Sequence, residues 1–194
     1  MIQMDVMTAL FTRRSIGVVK PMEPPKEVIM KCLEAAVHAP NHFRTEPWRF
    51  FVLTGQARER YGDVLAAIRK EELEAKGEAV DEEKLAKEKA KAFRAPVLIT
   101  VAVVPDTSNP RVVELEEIMA GAAAVQNLLL AVHAHGLAAI WRTGEVHYHP
   151  KLKAFFNLPE EAHLIGTVYI GYPDITPPAA KRTPATDKTT WLTE

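Results

Sequence analysis

The distribution of apolar residues predicts an α+β fold, a mixed central sheet wrapped by helices, on three observations. Helical spacing of apolar residues covers most of the chain. Strand-like runs are few and short: Trp48 to Leu53, Val97 to Val104, Leu137 to Trp141 and Leu164 to Gly171. One segment, Arg111 to His135, is apolar on nearly every side, which demands burial all round, at the centre of the fold or in a subunit interface.

The elements follow in order. Met4 to Arg14 reads as a short amphipathic helix with Val6, Leu10 and Phe11 at helical spacing and Arg13 and Arg14 in its last turn. Pro24 and Pro25 open a second helix, striped by Val28, Ile29, Cys32, Leu33, Ala36 and Val37 and stopped by Pro40. Trp48 to Leu53 is aromatic and β-branched, as a strand requires. From Gln56 the pattern is helical, and Lys70 to Lys91 is crowded with Glu and Lys, the signature of a solvated helix or hairpin laced with i,i+4 pairs. Val97 to Val104 is continuously apolar, as expected of a central strand covered on both faces. The long helix of Arg111 to His135 has an acidic first turn, Glu114, Glu116 and Glu117, suited to the positive end of its dipole, and Gly136 ends it. Pro150 to Phe156 is a further short helix, and Leu164 to Gly171 alternates like a strand.

At 194 residues the chain fits one domain, 1–194, with the Pro-rich stretch from about 177 to 194 as a C-terminal arm. A chain this long buries roughly 70% of its unfolded surface, so no covalent staple is needed. A net charge of -1 offers no field for nucleic acid and no polybasic strip for membranes. Cys32 is the single cysteine, which excludes an intrachain disulfide and a thiolate metal cluster. Ile118 to Val132 is too short to span a bilayer, and Met1 to Leu10 lacks a secretory signal, so a cytoplasmic location is expected.

Seven histidines raise a metal site first. His38 and His42 are separated by Pro40, which breaks the helix that would align them; His133 and His135 point to different helix faces. His147 and His149 share a face only if extended, and no H-E-x-x-H motif is present. Arg13, Arg14 and Ser15 suit either the negative end of a helix dipole or a phosphate clamp, since arginine offers a bidentate fork. Arg142, beside Trp141 and before Thr143 and Gly144, is either a snorkelling strand end or a ligand contact. Lys181 and Arg182 lie among the prolines of the tail.

Taken in order, R-R-S at 13–15, A-P-N-H at 39–42 with P-W-x-F-F-V, F-R-A-P before an apolar strand, a long apolar helix, G-L-x-x-I-W-R-T-G and I-G-Y-P resemble the nitroreductase family, most closely its short-form bacterial branch. The resemblance runs from about Val6 to about Pro184. It implies a nitroreductase-like fold with the long helix at a dimer interface, and FMN held in sites built from both subunits of a homodimer. It implies that Arg13, Arg14 and Ser15 contact the ribityl phosphate and pyrimidine edge. His38 and His42 match an Arg/His pair at the cofactor, with His in place of Arg at 38. Trp141, Arg142 and Thr143 match the segment closing on the flavin, with Arg142 as a second phosphate ligand, and Lys181 and Arg182 match C-terminal basic residues at the phosphate. Ala131 to Gly136 match a stretch linked to the nicotinamide cofactor, although a buried helix end accounts for them equally.

The chain has no G-x-G-x-x-G, so NADPH or NADH is expected as a transient hydride donor. The expected reaction is ping-pong transfer of hydride from NAD(P)H to a small electron-poor acceptor, a nitroaromatic or a quinone. The flavin supplies the reactive centre, so no catalytic side chain is expected. Competing readings are a flavoenzyme of the same fold that dehalogenates or fragments flavin, a flavin-binding redox module without turnover, and a histidine metalloprotein.

Overall fold

A computed structural model describes residues 4–193. Four strands, β1 (Trp48–Leu53), β2 (Val97–Val103), β3 (Ala138–Arg142) and β4 (His163–Gly171), form one sheet in the order β1-β2-β4-β3. All three pairings are antiparallel; the parallel component of the mixed sheet is an isolated bridge from Ser15 to Ala139 on edge strand β3. The central strands β2 and β4 carry the continuous apolar runs, and every residue of β2 is buried.

Among the described residues six α-helices surround the sheet: α1 (Val6–Thr12), α2 (Lys26–Ala36), α3 (Gly55–Ala75), α4 (Glu82–Ala90), α5 (Glu114–Ala134) and α6 (Pro150–Phe155). One core lies between the sheet and α2 and α5, built on Leu33, Val101, Leu128 and Val168; the other lies beneath α3 and α6, built on Leu65, Leu98, Leu152 and Tyr169. The charged stretch resolves into a hairpin of α3 and α4. Five of its basic residues are paired: Arg69 with Glu72, Lys70 with Glu74, Lys87 with Glu83, Lys89 with Glu59 and Asp63, and Lys91 with Glu88.

Two expectations change and a third is refined. The Val6, Leu10, Phe11 stripe of α1 faces outward, with Phe11 70% exposed, and only Ala9 of that helix is buried. Helix α1 is two turns long and covers the chain with its small residue, leaving the large ones for a surface outside the chain. Within the single chain helix α5 is buried on one face, and its other face is left for the subunit interface that the expectation allowed. Ala120, Ala124, Leu128 and Val132 face the core, whereas Leu115, Met119 and Gln126 are exposed. The apolar stretch Ile118 to Val132, expected to be too short for a bilayer, lies in a helix whose 21 residues are long and apolar enough to cross one. Its setting, packed on α2 and on all four strands with the carboxylate of Glu117 on the buried side, is that of a core helix. Gly136, at φ 73°, ends it by a Schellman motif: the Leu137 N–H donates to the Val132 carbonyl and the Gly136 N–H to that of His133.

Candidate functional site

The site assembles along the edge of β3. After α1 the chain turns extended at Arg13 (φ -57°, ψ 136°), and the Ile16 N–H donates to the Ala139 carbonyl at 2.9 Å, which lays residues 13–17 beside the strand that carries Trp141 and Arg142. Arg14 Nη1 donates to the carbonyls of Phe11 and Arg13, both at 2.8 Å, capping α1. The Arg14 Nε is buried and has no partner among the described residues.

Arg13 is the centre of a group of cations. Burial pushes its guanidinium below the ordinary value, and the positive charges of Arg182 and Arg14 push it the same way. The positive charge of Arg182, in the tail, is thus felt at the R-R-S segment. Lys181 is exposed and contributes only its carbonyl, which accepts from Arg182 Nη1 at 3.3 Å. His133, near the end of α5, shares a 2.8 Å contact with Thr12 Oγ1; burial, then Arg13 and Arg14, lower its pKa from 6.5. Among the described residues, no carboxylate pairs with Arg13, Arg14 or Arg182.

Arg142 lies apart from this group. Alternation along β3 sends Trp141 toward the α2 and α5 core, and Ile140 and Arg142 to the other face. The Arg142 guanidinium stands over the Tyr169 ring at 5.8 Å and beside Gly17, where an added Cβ would lie 3.4 Å from Nη2. Its Nε is buried without a partner among the described residues. Arg142, the expected second phosphate ligand, helps line a cavity of about 340 Å³ together with Tyr61, Glu88, Arg94, Trp141, Thr143 and Tyr169.

Trp141 Nε1 donates to the Ile165 carbonyl at 3.1 Å, and the indole covers Gly166 (φ 136°), where any Cβ would collide with Trp141 and lie 2.7 Å from the Arg142 carbonyl oxygen. Thr143 and Gly144 are exposed at the cavity rim, Gly144 at φ 139°. Behind the cavity, Thr167 Oγ1 joins Tyr61 Oη, Thr100 Oγ1 and His147 Nε2 at 3.2, 3.0 and 3.1 Å. Burial lowers the pKa of His147 and raises that of Tyr61, so both are neutral near pH 7. His147 and His149 are not the shared face an extended segment would give: His149 Nδ1 accepts from the Lys151 N–H and its Nε2 faces Glu71.

His38 and His42 occupy the connection between α2 and β1. His38 is exposed just past the end of α2. His42 stacks on Phe43, centroids 3.9 Å apart, and its Nδ1 meets Glu116 Oε2 at 2.7 Å. The same loop leans on Glu117, 1% exposed, which accepts from Thr45 Oγ1 at 2.7 Å and Asn41 Nδ2 at 3.1 Å. Glu117 had read as a dipole residue of the first turn; nothing in sequence spacing distinguishes it from Glu114 or Glu116. Arg94 is the arginine of F-R-A-P, a motif visible in the sequence without a direction for its side chain.

The Nitroreductase family model matches residues 10–172. YdjA of Escherichia coli (strain K12), which carries the provisional name NAD(P)H nitroreductase, is 33% identical over 172 residues, 89% of this chain and 90% of that protein. The crystal structure of a nitroreductase-like family protein from Bacillus cereus matches with a TM-score of 0.82 at 25% identity, over 99% of this chain and 98% of that one. A provisionally named nitroreductase from Desulfovibrio desulfuricans, solved in complex with FMN, matches with a TM-score of 0.73 at 25% identity, over 98% of both chains.

Proposed function

The chain belongs to the nitroreductase family, and from that premise we propose that it is an FMN-dependent oxidoreductase passing hydride from NADPH or NADH to a small electron-poor acceptor, a nitroaromatic or a quinone. The observation that carries the reading is the like-charged field of Arg182 and Arg14 on Arg13, with no carboxylate paired to any of the three among the described residues, beside a separate cavity at Arg142. Folding charges of one sign together is unfavourable unless an anion joins them, and a phosphate of about -2 charge does so. The buried, unpartnered Nε atoms of Arg14 and Arg142 are donors awaiting acceptors of the same kind. The residues present fit FMN.

In this reading Arg13, Arg14, Ser15 and Arg182 hold the phosphate, with Lys181 adding charge from the arm. Arg142, whose Nε is buried without a partner among the described residues, would hold the cofactor from the cavity side, as the second phosphate ligand that the family resemblance implies. Trp141 keeps β3 on β4 through its bond to Ile165, fixing the strand end, and Thr143 and Gly144 offer backbone N–H groups at the cavity rim. Tyr61 and His147, both neutral, line the cavity without bringing charge to it. The bound flavin supplies the redox chemistry, taking hydride from reduced nicotinamide and releasing it to the acceptor in ping-pong order.

The outward Val6, Leu10 and Phe11 of α1 and the exposed Met119 of α5 support a homodimer, with His38 and His42 meeting the cofactor of the second subunit. The chain acts as one FMN-binding domain, with 177–194 as an arm whose described residues, 177–193, are exposed almost throughout. The absence of a basic field suits a cytoplasmic enzyme. The purified protein, yellow as isolated or after adding FMN, is expected to bleach with NADPH or NADH and regain its colour with a quinone. Protein that takes up no FMN overturns the proposal. Protein that binds FMN and never bleaches is instead a redox module without turnover.

A further inference from the structure

We infer that Glu117 is a positioning residue for the cofactor: its buried carboxylate holds the loop that presents His42, and it acts on the flavin only through that loop. The inference rests on the proposed FMN site. The segment between α2 and β1 is strained, with Phe43, Arg44 and Glu46 at φ 61°, 57° and 48°, a left-handed region that side chains rarely adopt. Such a run persists only where the surroundings over-determine it. Here the determining group is on another element. Glu117 accepts from the Thr45 hydroxyl at 2.7 Å, from Asn41 Nδ2 at 3.1 Å and from the Asp106 N–H at 3.4 Å. Asn41 then turns its carbonyl oxygen to the Glu46 N–H at 2.8 Å, closing the loop on itself across the strained residues.

The neighbouring carboxylate completes the arrangement. Glu116 receives His42 Nδ1 at 2.7 Å, so adjacent residues of α5 hold the loop's Thr45 and Asn41 side chains from inside and its imidazole from outside. On the far side Arg111 stands over the Phe43 ring at 5.3 Å, and Phe43 stacks on His42. The three donors aimed at Glu117 are all hydrogen-bond donors to a carboxylate, so a glutamine leaves them competing for one oxygen, and its amide nitrogen would face either the Asn41 amide nitrogen or the Asp106 N–H, donor against donor. The strained loop then relaxes, and His42 leaves the position in which a cofactor meets it.

The test measures FMN affinity, the visible flavin spectrum and the thermal midpoint of flavin-free protein for Glu117→Gln, Thr45→Val and the double variant Glu117→Gln with Asn41→Asp. Glu117→Gln is expected to weaken FMN binding about tenfold or more, the scale of one lost charge-assisted hydrogen bond, and to change the flavin band shape. Thr45→Val, which folds more readily because its shape is kept, loses affinity in the same direction by less. The double variant pairs a glutamine donor with an aspartate acceptor and restores both affinity and spectrum. Glu117→Gln and Thr45→Val proteins that bind FMN with wild-type affinity and spectrum, even at a lowered thermal midpoint, reduce Glu117 to a structural group and overturn the inference. Wild-type protein that binds no FMN overturns the functional reading beneath it.

Discussion

Two regions of this molecule use the same basic residues to opposite ends. In the α3–α4 hairpin, Arg69, Lys70, Lys87, Lys89 and Lys91 each have a carboxylate within reach, and the surface is locally balanced. At the edge of β3, Arg13, Arg14 and Arg182 have none among the described residues and push on one another instead. The hairpin contains more charge and has less to say, because exposed ion pairs contribute little to stability and require no partner. The β3 edge contains fewer cations, but their repulsion is a cost that folding accepts only where something else removes it. Basic residues without a paired carboxylate, such as Arg94 and Arg111, occur elsewhere among the described residues; what singles out the candidate site is that like charges act on one another there.

The largest expected effect breaks the imbalance at its centre. Arg13→Ala is expected to weaken FMN binding by about ten- to a hundredfold, as for loss of a charge-assisted contact to phosphate, while flavin-free protein keeps or gains thermal stability because the repulsion is relieved. Fluorescence titration and thermal melts read the two quantities separately. An Arg13→Ala protein that binds FMN as the wild type does removes Arg13 from the clamp.

An intermediate effect comes from His133, which reports the field of the same cations. Its folded pKa is held below 6.5 by burial and by Arg13 and Arg14. The unfolded chain therefore takes up this proton first on acidification. The stability contributed by keeping His133 neutral is complete above about pH 6.5, and it is lost as pH falls from there through the lowered folded value. An anion bound at the cations offsets their field, so the NMR-followed titration of His133 is expected to move upward on adding FMN and in Arg13→Ala protein. A His133 titration indifferent to both would show that the cations exert no field there.

The smallest effect sharpens the contrast from the other side. Lys89→Ala breaks contacts to Asp63 and Glu59 on the hairpin surface. FMN affinity is expected to stay at the wild-type value and the thermal midpoint to move only slightly. A loss of FMN comparable to that of Arg13→Ala would mean that the hairpin belongs to the site.

Much of this was legible along the chain, for reasons that differ by element. β1 was readable to the residue because Trp48 to Leu53 is bounded by Pro47 and the Thr54–Gly55 start of α3. The end of α5 was readable because Gly136 is the residue a left-handed cap favours. The R-R-S and W-R-T segments were readable as candidates, yet their division of labour was not. Whether Arg142 joins Arg13 depends on which face of β3 it occupies, and that is settled by the register Ile140–Tyr169 and Arg142–Thr167. Glu117 was invisible as a loop anchor because a glutamate in a first turn already has a sufficient local explanation.

The sequence by itself determined the elements, their apolar faces, the cations available and the family they point to, because periodicity, turn chemistry and residue type are local properties of the chain. Only the tertiary structure decided which cations stand without counter-charges, which side of the sheet Arg142 addresses, that Val6, Leu10 and Phe11 look outward, and that one of three acidic residues on α5 is buried beneath a strained loop. Each of these depends on the neighbours that folding brings from distant parts of the chain. The field at a charge and the burial of a side chain are sums over all nearby groups, and those groups are adjacent in space rather than in sequence.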